Sequence, residues 1–271
     1  MKIVRLSKET NEIQRIITLR NSRNSRHRYQ EFILEGRIAI DEAHKKGWKI
    51  KALFYNQDHS LSSWAKNHLA QTSYEVAYEL PGALMDKITD KTESSELIAI
   101  AEMQILPFDS YQPGPSDVVI VLDSPKSPGN VGMMIRSAVA FGAHAIVISG
   151  HAADEYDPKC IRASVGTFFS IPIYKVDSAN HLLKRIEALK EEKRIQIIAS
   201  GDKGDTSIQE ADFKSDLLFL ILGNETKGVN WNYRQIATQF VQIPFSGKFT
   251  SLNVAAAGSI FLYEIFRQRV Q

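Results

Sequence analysis

Three short stretches of this chain hold polar side chains where a ligand could use them. In DSPKSPGNVGMMIRSA, Gly129 and Asn130 follow two prolines, and Arg136 lies six residues beyond Asn130. In LLFLILGNETKGVN, Gly223, Asn224, Glu225 and Gly228 follow an apolar run. In VQIPFSGKFTSLNVAAAG, Ile243 closes another apolar run, and Ser251 and Asn253 flank Leu252. An amide, a carboxylate and a guanidinium can orient a hydroxyl and hold an anion. Glycines either side of Glu225 would let the backbone approach a ligand closely. Each stretch also has a plain structural account: a capped helix with a surface arginine, a turn with a solvated glutamate, a helix cap. One cap satisfies a helix end, however, so the second polar residue of Ser251 and Asn253 needs a partner elsewhere.

The elements that must position these stretches alternate between strand and helix patterns. DVVIVLD (117–123) is a continuous apolar, β-branched run, as expected of a buried parallel strand. AHAIVISG, IPIYKV, IQIIAS, LLFLILG and QFVQIP read as further strands, and NVGMMIRSAVAFG, PKCIRASVGTFF and ANHLLKRIEALKEEK as helices. A final helix is expected to begin near Ser251. This predicts an α/β domain over 117–271 with a mostly parallel sheet, where ligands bind beyond the carboxyl ends of the strands. Upstream, a helix (8–20), FILEG, RIAIDEAHKKG, KIKALFYN, SSWAKNHLAQ, SYEVAYEL, PGALMDKITD and ELIAIAEM suggest a smaller α/β domain over 1–106. The proline-rich residues 107–116 read as a linker.

Composition sets bounds. The chain has 271 residues, 44% of them hydrophobic, so a packed core is expected rather than disorder. The net charge of +2 names no partner. The basic residues Arg20, Arg23, Arg26 and Arg28 do cluster, with no acid among them, and His27 and Tyr29 beside them could stack on a base. A solvated helix face would look the same. The single cysteine, Cys160, rules out a disulfide within the chain and a thiolate zinc cage, and no metal is expected. The charged start has no apolar leader core, and no run nears a membrane span, so a soluble cytoplasmic protein is expected. The first strand does not enter a G-x-G-x-x-G or Walker turn, which speaks against a Rossmann dehydrogenase or methyltransferase.

In order, the three blocks read P-G-N-x-G-x₃-R, then G-N-E-x-x-G, then I-P…S-L-N. That order resembles the SpoU (TrmH-type) branch of the SPOUT RNA methyltransferases, and DPKCIRASVGTFFSIPI is similar to the family's R-A-S-x-G-x-x-F-x-x-P stretch. FILEGRIAIDEA resembles the F-x-x-E-G…E-A pattern of the substrate-binding domain that often precedes it. Near the family's T-P-Q-G turn this chain instead has Glu93 and Glu96. The resemblance implies a C-terminal domain with a deep trefoil knot, and methyl transfer from S-adenosylmethionine to a ribose 2′-hydroxyl. It implies ribosomal RNA, 23S type, as substrate. The alternatives are a transfer-RNA enzyme or a catalytically silent RNA-binding relative. It assigns the cofactor to Gly223, Asn224, Glu225, Gly228, Ile243 and Leu252. It assigns catalysis to Arg136, Asn130, Glu225, Ser251 and Asn253, and RNA contact to Arg136 and the Arg20–Arg28 cluster. A homodimer with the site near its interface is also implied.

Overall fold

The computed structural model describes residues 2–89, 95–202, 204–214, 216–246 and 251–270. Glu93 and the 247–250 part of the last signature block lie outside them. In chain order, the first elements are β1 (Lys2–Arg5), α1 (Asn11–Asn21), α2 (Arg23–Tyr29), β2 (Glu31–Glu35), α3 (Arg37–Lys45), β3 (Ile50–Asn56), α4 (Ser63–Gln71), β4 (Val76–Leu80), α5 (Gly82–Ile88) and β5 (Leu97–Glu102). There follow β6 (Leu106–Pro107), β7 (Val118–Asp123), α6 (Pro128–Ala140), β8 (Ala145–Ser149), α7 (Pro158–Ala163), β9 (Ile173–Val176), α8 (Ala179–Lys190), β10 (Ile195–Ser200), β11 (Thr206–Ser207), β12 (Leu217–Leu222), α9 (Trp231–Ile236), β13 (Gln239–Gln242) and α10 (Val254–Arg269).

The chain divides into two compact units. The first comprises residues 1–104 and 154–169, the second residues 105–153 and 170–271. In the first, a mixed sheet runs in the order β1-β4-β3-β5-β2, with β5 antiparallel to both its neighbours. Side chains alternate across it. Ile33 faces a core made with Ile13, Ile16 and Leu19 of α1 and Leu84, Met85 and Ile88 of α5. Phe32 faces the other way and meets the rings of Trp48, Tyr156 and Phe168.

The basic stretch after α1 is a helix, α2, which the Ser22 side chain caps by accepting the N–H of Ser25. One expectation changes. PKCIRASVGTFF, expected as a helix of the second domain, belongs to the first unit. It is α-helical only over α7; Val165 and Gly166, with positive φ, end it, and a 3₁₀ turn follows at Thr167–Ser170.

In the second unit the sheet order is β11-β13-β10-β12-β7-β8-β9-β6, and every pairing is parallel. Its two central strands, β12 and β7, are buried along their whole length. That is why they read as unbroken apolar runs. Residues expected as a linker join this unit. Leu106 and Pro107 form β6 against β9, and Phe108 and Tyr111 enter the core beside Tyr174.

Candidate active site

The site is assembled where β7 and β12 end side by side. β7 closes on Asp123, whose buried carboxylate accepts the N–H of Asn230 at 2.7 Å and the Ser124 hydroxyl at 3.2 Å. Burial raises its pKa, against the pull of those two donors. Pro128 then opens α6 at its first position, and the Ser127 side chain, not Asn130, is its cap, accepting the Asn130 N–H. Asn130 is thereby left in the first turn with its amide free for the site.

After β12 the chain turns tightly. Asn224 and Gly228 exchange backbone hydrogen bonds of 3.0 and 2.9 Å. The Asn224 Oδ1 accepts the N–H groups of Thr226 and Lys227, and its Nδ2 donates to the Ser124 carbonyl at 2.7 Å, tying the second loop to the first. Gly228 has φ +68°, the left-handed region that glycine tolerates best. At Gly223 a Cβ would lie 2.3 Å from the backbone of Gly228 and Val229, so the two strands of this turn touch.

Glu225 is thereby presented to α6. Its Oε1 accepts the Asn130 Nδ2 at 3.0 Å and its Oε2 the Lys126 N–H at 3.3 Å. Burial raises its pKa, but the Asn130 amide and the N–H groups of Glu225, Lys126 and Ser127 outweigh that, and the carboxyl sits below its ordinary range.

Asn253 completes the chain of bonds. It, not Ser251, caps α10: its Oδ1 accepts the N–H groups of Ala255 and Ala256. Its Nδ2 donates to the Asn130 Oδ1 at 3.2 Å. Asn253 alone therefore both caps the helix and meets Asn130, and the second polar residue, Ser251, takes no part in the cap. Ser251 opens instead onto a cavity of about 530 Å³. Gly223, Asn224, Glu225, Gly228, Ile243 and Leu252, the six residues expected to hold a cofactor, all line it.

Arg136 is not brought into this group. It lies about 9 Å along the helix from Asn130, at about 1.5 Å per residue, in the third turn of α6. Its side chain is exposed and makes no hydrogen bond or ion pair among the described residues. Other residues at the site carried no signal of their own in the sequence. Asp123 read only as the last residue of a strand. Arg234 also lines the cavity; its Nε donates to the Val229 carbonyl at 3.0 Å and its guanidinium lies over the Phe240 ring. A helix of one and a half turns, α9, puts it there, too short to read from periodicity.

The arginine cluster of the first unit separates on folding. Arg26 is 2% exposed. Its guanidinium bonds Asp154 at 2.7 Å, approaches Asp157, and donates to the carbonyls of Leu19 and Arg20. It is an interior residue, not an RNA contact. His27 is engaged by the same Asp154. Arg20 donates to the carbonyls of Lys87 and Thr89, and Arg23 is half-buried. Arg28 and Tyr29 remain exposed, with the guanidinium 5.7 Å from the ring centre.

Among the described residues, no group of three His, Cys, Asp or Glu side chains is placed to hold a metal ion. No helix among them is long and apolar enough to cross a membrane.

Known proteins share this arrangement. Residues 117–263 match the SpoU rRNA Methylase family, and residues 11–99 match the SpoU L30e-like domain. A 23S rRNA (uridine(2479)-2′-O)-methyltransferase of Streptomyces viridochromogenes is 35% identical over 98% of this chain and 93% of its own. The crystal structure of the SpoU methyltransferase AviRb of that organism, in complex with the cofactor AdoMet, superposes with a TM-score of 0.91 at 34% identity, over 97% of this chain and 99% of that one. An AdoMet-bound rRNA methyltransferase from Sinorhizobium meliloti gives 0.85 at 26% identity, over 98% of both chains. With the match covering more than half the chain and the site built from its three signature blocks, the protein belongs to the SpoU rRNA methylase family.

Proposed function

We propose that this protein transfers a methyl group from S-adenosylmethionine to a ribose 2′-hydroxyl of RNA, and that the RNA is ribosomal, of the 23S type. The observation that carries the reading is the cavity at the ends of β12 and β13, with the bonded chain Asn253–Asn130–Glu225 at the same loops. The residues fit the cofactor. The cavity falls within the roughly 300–1,000 Å³ usual for small-molecule sites. Gly223 leaves no room for a side chain, so what meets a ligand there is backbone. Gly223, Ile243 and Leu252 would hold the nucleoside by backbone and apolar contact.

When bound, S-adenosylmethionine supplies an electrophilic methyl group on a sulfonium. The protein's own task is then positioning and charge. Asn130 and Asn253 are held by each other and by helix ends, so their amides meet a substrate already oriented. Glu225 stays ionised and fixes the Asn130 amide. Arg136 binds an RNA phosphate and stabilises the negative charge that develops on the 2′-oxygen. It is not the base, because a guanidinium keeps its proton; the hydroxyl proton passes to a phosphate oxygen or to water. Arg136 shares its side of α6 with exposed Met133, three residues away, and exposed Ile260, Tyr263 and Phe266 lie on α10, which packs against α6. We assign this apolar face to the interface of a homodimer, with Arg136 at its edge. The 117–271 region would carry the family's trefoil knot, and the first unit would bind substrate through Arg20, Arg23, Arg28 and Tyr29, in the cytoplasm where ribosomal RNA is modified.

The test is incubation with methyl-labelled S-adenosylmethionine and separate pools of unmodified ribosomal and transfer RNA, with Arg136→Ala alongside. Label in ribosomal RNA that the variant loses is the expected result. Label only in transfer RNA would overturn the substrate. Arg136→Lys with nearly full turnover would remove the bidentate role. No label and no cofactor binding would mean an RNA-binding protein without catalysis.

A further inference from the structure

The first unit holds a second cavity, of about 220 Å³, between α3 and α4. Hydrogen bonds tie its wall across the two helices. One oxygen of Asp41, Oδ1, accepts the Trp64 indole N–H at 2.7 Å and meets the His68 Nε2 at 2.6 Å. The other imidazole nitrogen meets the Thr72 hydroxyl at 3.0 Å. Indole and imidazole are therefore locked in place, 5.0 Å apart, and the exposed His44 ring stands edge-on to His68 at 5.6 Å. Arg37 lies over the indole, 5.1 Å from its centre.

A helix-to-helix staple would account for Asp41, Trp64, His68 and Thr72. It does not account for the rest. His44, Asn67 and Gln71 are exposed and edge the same cavity with donors and acceptors that make no bond among the described residues. The second oxygen of Asp41 is likewise without a partner there. The volume is smaller than the ~300 Å³ lower range of whole-ligand sites, which suits one heterocycle rather than a nucleotide chain. Rings set at fixed angles, exposed amides and a carboxylate oxygen in the lining match the way unstacked RNA bases are held, by stacking plus hydrogen bonds to their edges.

We infer that this cavity takes one unpaired RNA base carrying an exocyclic amino group, its ring against His44 and Trp64 and its amino group on the free oxygen of Asp41. The inference rests on the reading of the protein as an RNA-modifying enzyme. It adds a base-reading contact on α3 and α4 of the first unit, separate from the arginine cluster of α1 and α2.

The test uses the full chain with a 23S ribosomal RNA transcript. His44→Ala and Gln71→Ala alter exposed side chains and leave the Asp41 bonds intact, so folding is preserved. RNA affinity and KM are expected to worsen about tenfold for His44→Ala, the scale of one base-stacking contact, with kcat unchanged. The dependence of affinity on salt should keep its slope, because no phosphate contact is lost. Hexamers of adenosine and cytidine should compete for the wild type better than the uridine hexamer, and this preference should vanish in both variants. Unchanged affinity in both variants would overturn the inference, and so would a reduced salt slope, which would mean a phosphate contact. Uridine competing equally would remove the role of Asp41. Affinity is measured apart from turnover. A wild type that binds RNA but methylates none would sink the functional reading alone, and the variants would still decide on the pocket.

Discussion

Asn253 uses the two ends of one amide for two purposes. Its oxygen caps α10 and its nitrogen holds Asn130. The roles separate on substitution. Asn253→Ser should keep the cap and the melting temperature but lower kcat/KM at least tenfold. Asn253→Ala should lose both, with about 1 kcal/mol of stability. Thermal melts beside methyl-transfer kinetics check this, and equal activity for the serine variant would show that the bond to Asn130 is idle. Glu225 gives a pH prediction. Its partners favour the ionised form, so their contribution is complete above the ordinary glutamate pKa of about 4.3 and fades only as pH falls through the lowered value. Cofactor affinity should therefore hold at pH 5, and Glu225→Gln should weaken it there. At this scale the family resemblance grouped Asn130, Glu225 and Asn253, which the structure bonds to one another, with Arg136, which it leaves apart. The sequence could not say which of Ser251 and Asn253 caps the helix. Both residue types cap well, and the choice turns on a partner 123 residues away.

Among the elements, α2 shows what charge alone conceals. Four arginines in nine residues read alike, yet Arg26 is interior because Asp154, 128 residues later, folds against it. Arg26→Ala should cost about 3–5 kcal/mol, the range for leaving a buried partner unpaired. Denaturant unfolding measures it, and a loss below 1 kcal/mol would contradict the buried pairing. Burial raises the Asp154 pKa, but the hydrogen bond from His27 and the charge of Arg26 outweigh it and hold the group at about 2. The lowered value means that the stabilisation is full above the unfolded pKa of about 3.9 and is lost as pH drops from there toward 2. Strands such as β7 and β12 were legible because burial on both faces demands unbroken apolar residues. β6, two residues long and half proline, was not, since its place comes from pairing with β9 rather than from any local preference.

For the whole molecule, the testable statement is the assembly. Tyr263 is 54% exposed beside Phe141 on the apolar face of α6 and α10. Tyr263→Glu should yield a monomer by light scattering, with methyl transfer reduced at least tenfold if the site needs the pair. A wild type that is monomeric at micromolar concentration would remove the proposed interface. The α/β class and the parallel sheet were legible from alternating patterns. The partition of the chain was not, because a stretch of 16 residues carries no sign of which sheet it will join, and Phe168 and Trp48 find each other only in three dimensions.

That partition bears on how the protein is made and how it can be inherited. The chain passes between the units at three points, after residues 104, 153 and 169. A ribosome therefore delivers β7, α6 and β8 before it delivers Asp154 and Phe168, and the first unit must wait, with Arg26 lacking its Asp154 partner and Phe32 lacking the rings of Tyr156 and Phe168, until the second is well begun. A fragment ending at Gln104 should be poorly soluble for the same reason. Nor can any single genetic junction exchange the first unit for another: a crossover near residue 105 would bring in a new sheet and leave its closing piece behind.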